Sequence, residues 1–188
     1  MQPARRKMQV NDPLILTIDA GSSSVRATVY DCCGGAVTGL EVRRPYQFET
    51  TSDGGVEVGA DVLFKVVVEA IDEIMVRSGG QHRRIAAVAM STFWHNLVGV
   101  DARGRALTPI YSWADTRSAA DALQLRSLVD ESQYHARTGC PLHPSYFLST
   151  YRFLTKLYYI PVYELEISYQ RHGGIRLYHL VAEIAYRL

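Results

Sequence analysis

The sequence predicts an α/β fold built on a mixed sheet, and three observations support this class. The chain from Leu14 to Asp31 contains two apolar strands around a short, hydroxyl-rich turn, which predicts a β-hairpin with one buried face. The chain from Ala60 to Arg77 carries apolar side chains at helical spacing, and Ile85 to Met90 is a nearly continuous apolar run typical of a buried strand. A hairpin, a helix and a returning strand together indicate a crossover onto one sheet.

The composition favours one domain, or one lobe of a larger one, that binds a small molecule. The chain has 188 residues, of which 47% are apolar, so it can bury a sizeable core. With 20 basic and 19 acidic residues its net charge is +1, which argues against a nucleic-acid or membrane partner. No apolar run approaches the roughly 20 residues that span a bilayer. We interpret residues 1–13, which lack an apolar segment, as a disordered leader of a cytoplasmic protein.

The cysteines and histidines do not predict a metal site. Cys32, Cys33 and Cys140 lack metal-ligand spacing, so we expect small buried side chains in a reducing compartment. The six histidines are scattered and form no H-E-x-x-H pattern. The sequence also lacks a G-x-x-x-x-G-K-[ST] loop and a G-x-G-x-x-G fingerprint, so any nucleotide must bind elsewhere.

The turn Asp-Ala-Gly-Ser-Ser-Ser between the first two strands is the candidate anion site. We expect Gly21 to adopt a backbone angle closed to other residues and to let a ligand approach the main chain. Successive backbone N–H groups can surround an anion, and Ser22, Ser23 and Ser24 add three hydroxyls. Asp19, at the strand end, could hold Mg²⁺ over bound phosphates. The alternative is an ordinary polar hairpin loop.

The remaining elements of the first half follow in order. Asp31 to Gly35 predicts a turn, after which a third strand from Ala36 to Phe48 completes an antiparallel meander. Val56 to Val58 is short and extended. The helix then runs from Ala60 until Gly79 and Gly80 stop it.

The second half predicts a hairpin followed by helices. Strand-like segments from Leu97 to Val100 and from Ala106 to Tyr111 flank a turn at residues 101–105. A helix over residues 115–129 would be capped by Asp115 or Thr116. Further helices are predicted, over residues 131–138, 145–156 and 175–188.

Four ordered motifs give the chain a family resemblance. These are DAGSSSVR, VAMSTFWHNLVGVD, PIYSWADTRS and ARTGCPLHPSYFLSTYRFL. Together they resemble the amino-terminal domain of an FGGY carbohydrate kinase, and the middle motifs are most similar to the gluconate kinase branch. The resemblance covers roughly Leu14 to Leu154. It implies a ribonuclease H-like lobe of the actin, heat-shock chaperone and sugar kinase superfamily, with ATP and Mg²⁺ as cofactors.

The resemblance also implies a phosphate-binding set. In that family the turn surrounds the ATP phosphates, so Asp19 would help to hold the metal, Mg²⁺. The backbone and hydroxyls of Gly21, Ser22 and Ser23 would contact the transferred phosphate, and Arg26 would support the turn electrostatically. Arg26 could instead be a surface charge.

The resemblance further implies three substrate contacts. His95 would hydrogen-bond a sugar hydroxyl, Trp113 would offer its flat face to sugar C–H groups, and Tyr146 is a further sugar contact. A satisfied strand-end histidine is the alternative for His95, and core packing is the alternative for Trp113. We expect Trp94 in the core. Asp115 and Arg117 would form a local ion pair or a helix cap.

The resemblance stops after Leu154. We divide the chain into the leader (1–13), an FGGY kinase amino-terminal domain (14–155) and a divergent tail (156–188), and we expect a truncated chain from an interrupted gene or a fragment. The family's catalytic base, an aspartate, is absent from this sequence, and we expect Asp72, Asp121 and Asp130 to be solvated on helices.

Two functions follow. The first is ATP-dependent phosphorylation of a sugar or sugar acid of the gluconate, xylulose, ribulose or glycerol type. The second is a non-catalytic fragment with weak sugar or phosphate binding. In either case uncovered apolar surface predicts self-association.

Overall fold

A computed structural model describes residues 12–101, 103–146, 149 and 153. The described chain forms two compact units. The first contains the described residues up to Phe48 together with Asp61–Trp94, and the second contains Glu49–Ala60 and the described residues from His95 onward. Residues 1–11 of the predicted leader, the helix at 175–188, the tail and most of the helix at 145–156 lie outside the described residues.

The first unit is a mixed sheet of four strands, β1 (Leu14–Ala20), β2 (Ser24–Asp31), β3 (Ala36–Pro45) and β6 (Ile85–Thr92). Their order in the sheet is β3-β2-β1-β6. The first three are antiparallel neighbours, and β6 runs parallel to β1. The antiparallel meander and the returning strand are therefore confirmed, although β3 ends at Pro45, before the predicted Phe48.

Alternation along the hairpin buries one face of this sheet. Leu14, Leu16 and Ile18 of β1 are buried, and their partners across the register include Ala27 and Val29 of β2, which are also buried. The odd-numbered positions of β1 point to the other face, as the period of two requires.

The long helix α1 (Ala60–Ser78) lies beside β3, and its bounds agree with those of the predicted helix to within one residue. Its residues Ala70 and Ile74 are fully buried. Glu73 forms an ion pair with Arg44 of β3 at 2.5 Å, and Arg77 donates from Nη1 to the Glu41 carbonyl at 2.9 Å. A 3₁₀ helix (Gly79–Arg84) then leads from α1 into β6.

Strand β6 is exposed, so its predicted burial is wrong. Val88 and Met90 align with the buried Leu16 and Ile18 of β1, yet they are 61% and 60% exposed. The apolar run does identify a strand, but β6 is the last strand of this sheet among the described residues, and no described element covers it. Burial of a strand depends on its neighbours as well as on its composition.

We expect the purified polypeptide to self-associate through this strand. Ile85–Thr92 carries no charged residue or proline to protect its edge, so pairing with another chain is favoured. Light scattering should give a mass that rises with concentration, and Met90→Lys should lower it. Val76→Lys, on the 80% exposed Val76 of α1, is the matched control. A monomer at high concentration would contradict this prediction.

The second unit contains a small sheet and the predicted hairpin. Its strands are β4 (Glu49–Thr50), β5 (Val56–Val58) and β7 (Ile110–Tyr111), paired in that order and antiparallel. Bridges join Leu97 to Tyr111 and Val100 to Ala106 across the turn at residues 101–105. The hairpin is therefore present, although its pairing is mostly by isolated bridges.

Helices α2 (Ala119–Leu128) and α3 (Glu131–Thr138) complete the described second unit. Helix α3 matches its prediction, and its cap, Asp130, accepts hydrogen bonds from the backbone N–H groups of Ser132 and Gln133. The prediction that Asp115 or Thr116 caps α2 is wrong, because α2 begins after Ser118.

Two other burial predictions are wrong. Asp121, expected to be solvated, is only 4% exposed. Cys32 and Cys33 are exposed because they lie in the turn between β2 and β3, and Cys140 is half-buried.

In the part of the chain that the structure describes, no group of three or more potential metal ligands occurs. The described helices include none with the length and apolarity needed to cross a membrane.

Candidate functional site

The turn between β1 and β2 is closed by its own backbone and presents two hydroxyl side chains to solvent. The Gly21 N–H donates to the Ser24 carbonyl at 3.0 Å, and Ser22 and Ser23 are exposed. Ser24 is buried, and its Oγ accepts a 3.0 Å hydrogen bond from Arg43 Nε. Two of the three predicted hydroxyls therefore lie at the surface, whereas the third anchors the turn to β3.

Tyr46 is the residue that holds this turn most directly, and the sequence analysis missed it. Its hydroxyl donates to the Gly21 carbonyl, and its backbone N–H donates to the Ser23 carbonyl at 3.2 Å. Burial raises the pKa of Tyr46 to about 12, and the Asp19 carboxylate contributes to that rise. Pro45, the residue before Tyr46, is the partner of Ser24 in the sheet. The pairing of β2 with β3 could therefore have indicated that Tyr46 lies next to the turn.

The expected special backbone angle at Gly21 is wrong. Gly21 does not lie in the left-handed region, and a Cβ added there would lie 3.5 Å from the Ser24 carbonyl oxygen, an ordinary contact. The hairpin closes through the hydrogen bonds of Gly21 and Tyr46 and needs no positive φ at this position. The absence of a side chain still leaves the main chain open to a ligand.

Asp19 and Arg26 are direct partners across the β1–β2 register, and both are exposed. Ser91 of β6 is the partner of Asp19 on its other side, and Arg43 of β3 is the partner of Arg26. The exposed face next to the turn thus carries one carboxylate and two guanidinium groups. Mg²⁺ in phosphoryl-transfer sites is typically held by one or two carboxylates and the phosphates themselves, which a single exposed Asp19 fits.

In the second unit, the rings of His95 and Tyr146 come together. Their rings stack with centroids 4.3 Å apart and planes inclined by 19°. His95 has a positive φ of 54°, the only such value at a non-glycine residue in the described chain, and strained backbone of this kind clusters at binding sites. Partial burial lowers the pKa of His95, and the neighbouring His143 lowers it further.

Both tryptophans are exposed. Trp113 is 53% exposed, which excludes core packing and leaves its ring available. Trp94 is 64% exposed, so its predicted place in the core is wrong. Strand β6 ends at Thr92, and Trp94 therefore lies beyond the regular alternation on which that prediction depended.

Asp115 and Arg117 form the predicted ion pair, and Glu57 of β5 joins it. Arg117 Nη2 lies 2.5 Å from Asp115 Oδ2 and also bonds Glu57, while the backbone N–H of Val56 donates to Asp115 at 3.1 Å. The guanidinium also lies 4.9 Å from the centre of the Tyr111 ring. The hydrogen bond to Asp115 is the main reason why the pKa of Arg117 is raised. This cluster ties the segment that follows Trp113 to β5.

The chain matches a known family over most of its length. Residues 14–157 match the family described as the FGGY family of carbohydrate kinases, N-terminal domain. Gluconokinase from Bacillus subtilis is 26% identical over 75% of this chain and 27% of its own length. Xylulose kinase from Streptomyces coelicolor is 31% identical over 77% of this chain and 29% of its own length.

Solved structures agree with this match. The gluconate kinase of Lactobacillus acidophilus superimposes with a TM-score of 0.63 at 27% identity, over 71% of this chain and 26% of that one. The predicted α/β class of the ribonuclease H-like type is thereby confirmed. The chain spans less than a third of the length of these relatives.

Proposed function

The chain belongs to the FGGY family of carbohydrate kinases through its N-terminal domain, and we propose that it supplies the phosphate turn and the sugar contacts of an ATP-dependent kinase. The acceptor would be a sugar or sugar acid. Gluconate is the first candidate, because the motifs around His95 and Trp113 resemble that branch, and xylulose, ribulose and glycerol follow. Residues 14–155 would form the domain, with 1–13 as a leader and 156–188 as a divergent tail.

The stacking of His95 on Tyr146 is the observation that carries this proposal. The two residues come from different motifs, and their rings lie 4.3 Å apart. An imidazole and a phenol held together offer hydrogen-bonding edges for hydroxyl groups. Trp113 would add an exposed aromatic face of the kind that packs on sugar C–H groups.

The turn at residues 19–24 is proposed as the ATP phosphate site. The exposed Ser22 and Ser23 would donate hydrogen bonds to phosphate oxygens, and Arg26 would offset their negative charge. Gly21, whose N–H already donates to the Ser24 carbonyl, would let the phosphate approach the main chain closely. Tyr46 would keep the turn in one conformation through its bonds to Gly21 and Ser23. Asp19 would hold Mg²⁺, which when bound neutralises charge on the phosphates.

The state of the described carboxylates favours the second candidate function, binding without turnover. Transfer to a sugar hydroxyl requires a base within hydrogen-bond reach. Asp101 accepts from two backbone N–H groups and pairs with Arg105, and Asp115 is held by Arg117. Asp130 caps α3 and Asp121 is buried. None of these four is placed as a base.

Calorimetric titration of the polypeptide with gluconate, xylulose, ribulose and glycerol tests the proposed sugar site. We expect saturable binding of at least one of the four, and Tyr146→Ala should abolish it because the stacking partner of His95 is lost. His135→Asn, at an exposed position of α3, is the control and should bind normally. Failure of all four compounds to bind would contradict the proposed function.

A further inference from the structure

His143 lies beside the His95–Tyr146 pair, although the family resemblance assigns it no role. Its ring centroid is 5.1 Å from that of Tyr146, and the planes are inclined by 48°. Tyr146 therefore contacts two imidazoles. The effect of His143 on the pKa of His95 is consistent with two imidazoles close to one another.

The hydrogen bonds of Ser145 assign the tautomer of His143. The Ser145 backbone N–H, which can only donate, bonds Nδ1 of His143 at 3.3 Å, and the Ser145 hydroxyl lies 2.7 Å from the same atom. Nδ1 must therefore accept, so the proton of the neutral ring is on Nε2. The ring presents one N–H donor on the edge away from Ser145.

The backbone on both sides of His143 is held in place by α2 and α3. The Leu142 N–H donates to Glu131 at 3.1 Å, and Arg126 donates to the Leu142 carbonyl at 2.6 Å. Ser118 donates to the Pro144 carbonyl. The His143 side chain is nevertheless exposed. A fixed tautomer on a fixed loop, with an exposed donor beside an aromatic stack, is the arrangement of a preorganised ligand contact.

We propose that His143 contacts the substrate, donating from Nε2–H to an oxygen atom of a polyhydroxylated ligand bound at the edges of the His95 and Tyr146 rings. This inference rests on the proposed function, because it adds a specificity-determining residue to the same sugar site. The competing role for His143 is purely structural, with Nδ1 closing the loop onto Ser145.

Two substitutions separate these roles because each keeps one of the two nitrogen positions. The side-chain amide of His143→Asn can replace Nδ1 and accept from Ser145, but it removes the Nε2 donor. His143→Gln keeps a donor near Nε2 and removes the bond to Ser145. Calorimetry measures the dissociation constant, with gluconate as the first probe and then xylulose, ribulose and glycerol. The midpoint of thermal unfolding measures whether each substitution destabilises the loop that contains His143.

A ligand contact predicts that His143→Asn weakens binding about three- to tenfold, as expected for one hydrogen bond, without lowering the unfolding midpoint. His143→Gln should change affinity less than about twofold. His135→Asn, the control, should match the unsubstituted chain. If the unsubstituted chain binds a probe and His143→Asn binds it equally well, the inference is wrong and the proposed function stands. If the unsubstituted chain binds none of the four probes, the proposed function fails and this inference fails with it.

Discussion

Purified 188-residue polypeptide, given ATP, Mg²⁺ and gluconate, is expected to release ADP at least about a hundredfold more slowly than a complete gluconokinase. Loss of general-base help costs on the order of 10²- to 10⁴-fold. Of the five aspartates considered as bases, Asp101, Asp115, Asp121 and Asp130 are engaged or buried, and Asp72 lies on the exposed surface of α1. In the family that the chain resembles the base is an aspartate, and we expect it to be absent from this sequence. A coupled ADP-release assay measures the rate.

The control for this assay is the gluconokinase of Bacillus subtilis under the same conditions, with xylulose, ribulose and glycerol tested in parallel. Turnover by the polypeptide at many cycles per minute, lost in Asp19→Asn, would contradict the prediction. In that case one of the described carboxylates acts as a base, and substitution of Asp72, Asp101, Asp115, Asp121 and Asp130 in turn would identify it.

Arg117→Met is expected to destabilise the second unit by about 3–5 kcal/mol, because it leaves the partly buried carboxylates of Asp115 and Glu57 without their cation. The side chains of Arg117 and Asp115 are 14% and 8% exposed, so solvent screens the lost charge poorly. The matched control is Arg105→Met. Arg105 also pairs with an aspartate, but its side chain is 72% exposed, and its loss should cost less than about 1 kcal/mol.

Urea denaturation in a Trp94→Phe background measures this effect. Trp94 belongs to the first unit and Trp113 to the second, so the remaining fluorescence reports the unit that contains the cluster. Equal midpoints for Arg117→Met and Arg105→Met would show that the cluster contributes no more than an exposed pair. Adding Asp115→Asn to Arg117→Met should recover part of the loss, because one unpaired charge is removed.

Local sequence patterns were sufficient for most of the elements. The apolar run of β1, the alternation in β2 and the helical spacing of α1 each act within a few residues, and these three elements are confirmed. The start of α2 was not predictable in this way. Asp115, which looks like a capping residue, is instead held by Arg117 and by Val56, which is remote in sequence.

The predictions that failed concern burial and partners remote in sequence. The apolar composition of β6 does not determine what covers it, and Val88 and Met90 are exposed. His95 and Tyr146 could be named only through family motifs, since no local pattern places a histidine on a tyrosine from another segment. Tyr46 was missed because its bonds reach a turn that is remote in sequence. His143 was missed although its partners, Ser145 and Tyr146, are near in sequence, because no local pattern brings these side chains together.

The most direct test of the proposed kinase site is an amide NMR titration of the polypeptide with Mg·ATP. We expect the signals of Gly21, Ser22 and Ser23 to shift and saturate together, and adenosine, which lacks phosphate, to leave them unchanged. Asp19→Asn should weaken the response to Mg·ATP because the metal loses its carboxylate. If Mg·ATP leaves these three amides unshifted at saturating concentration, or if adenosine shifts them equally, the turn is an ordinary hairpin loop and the account is wrong.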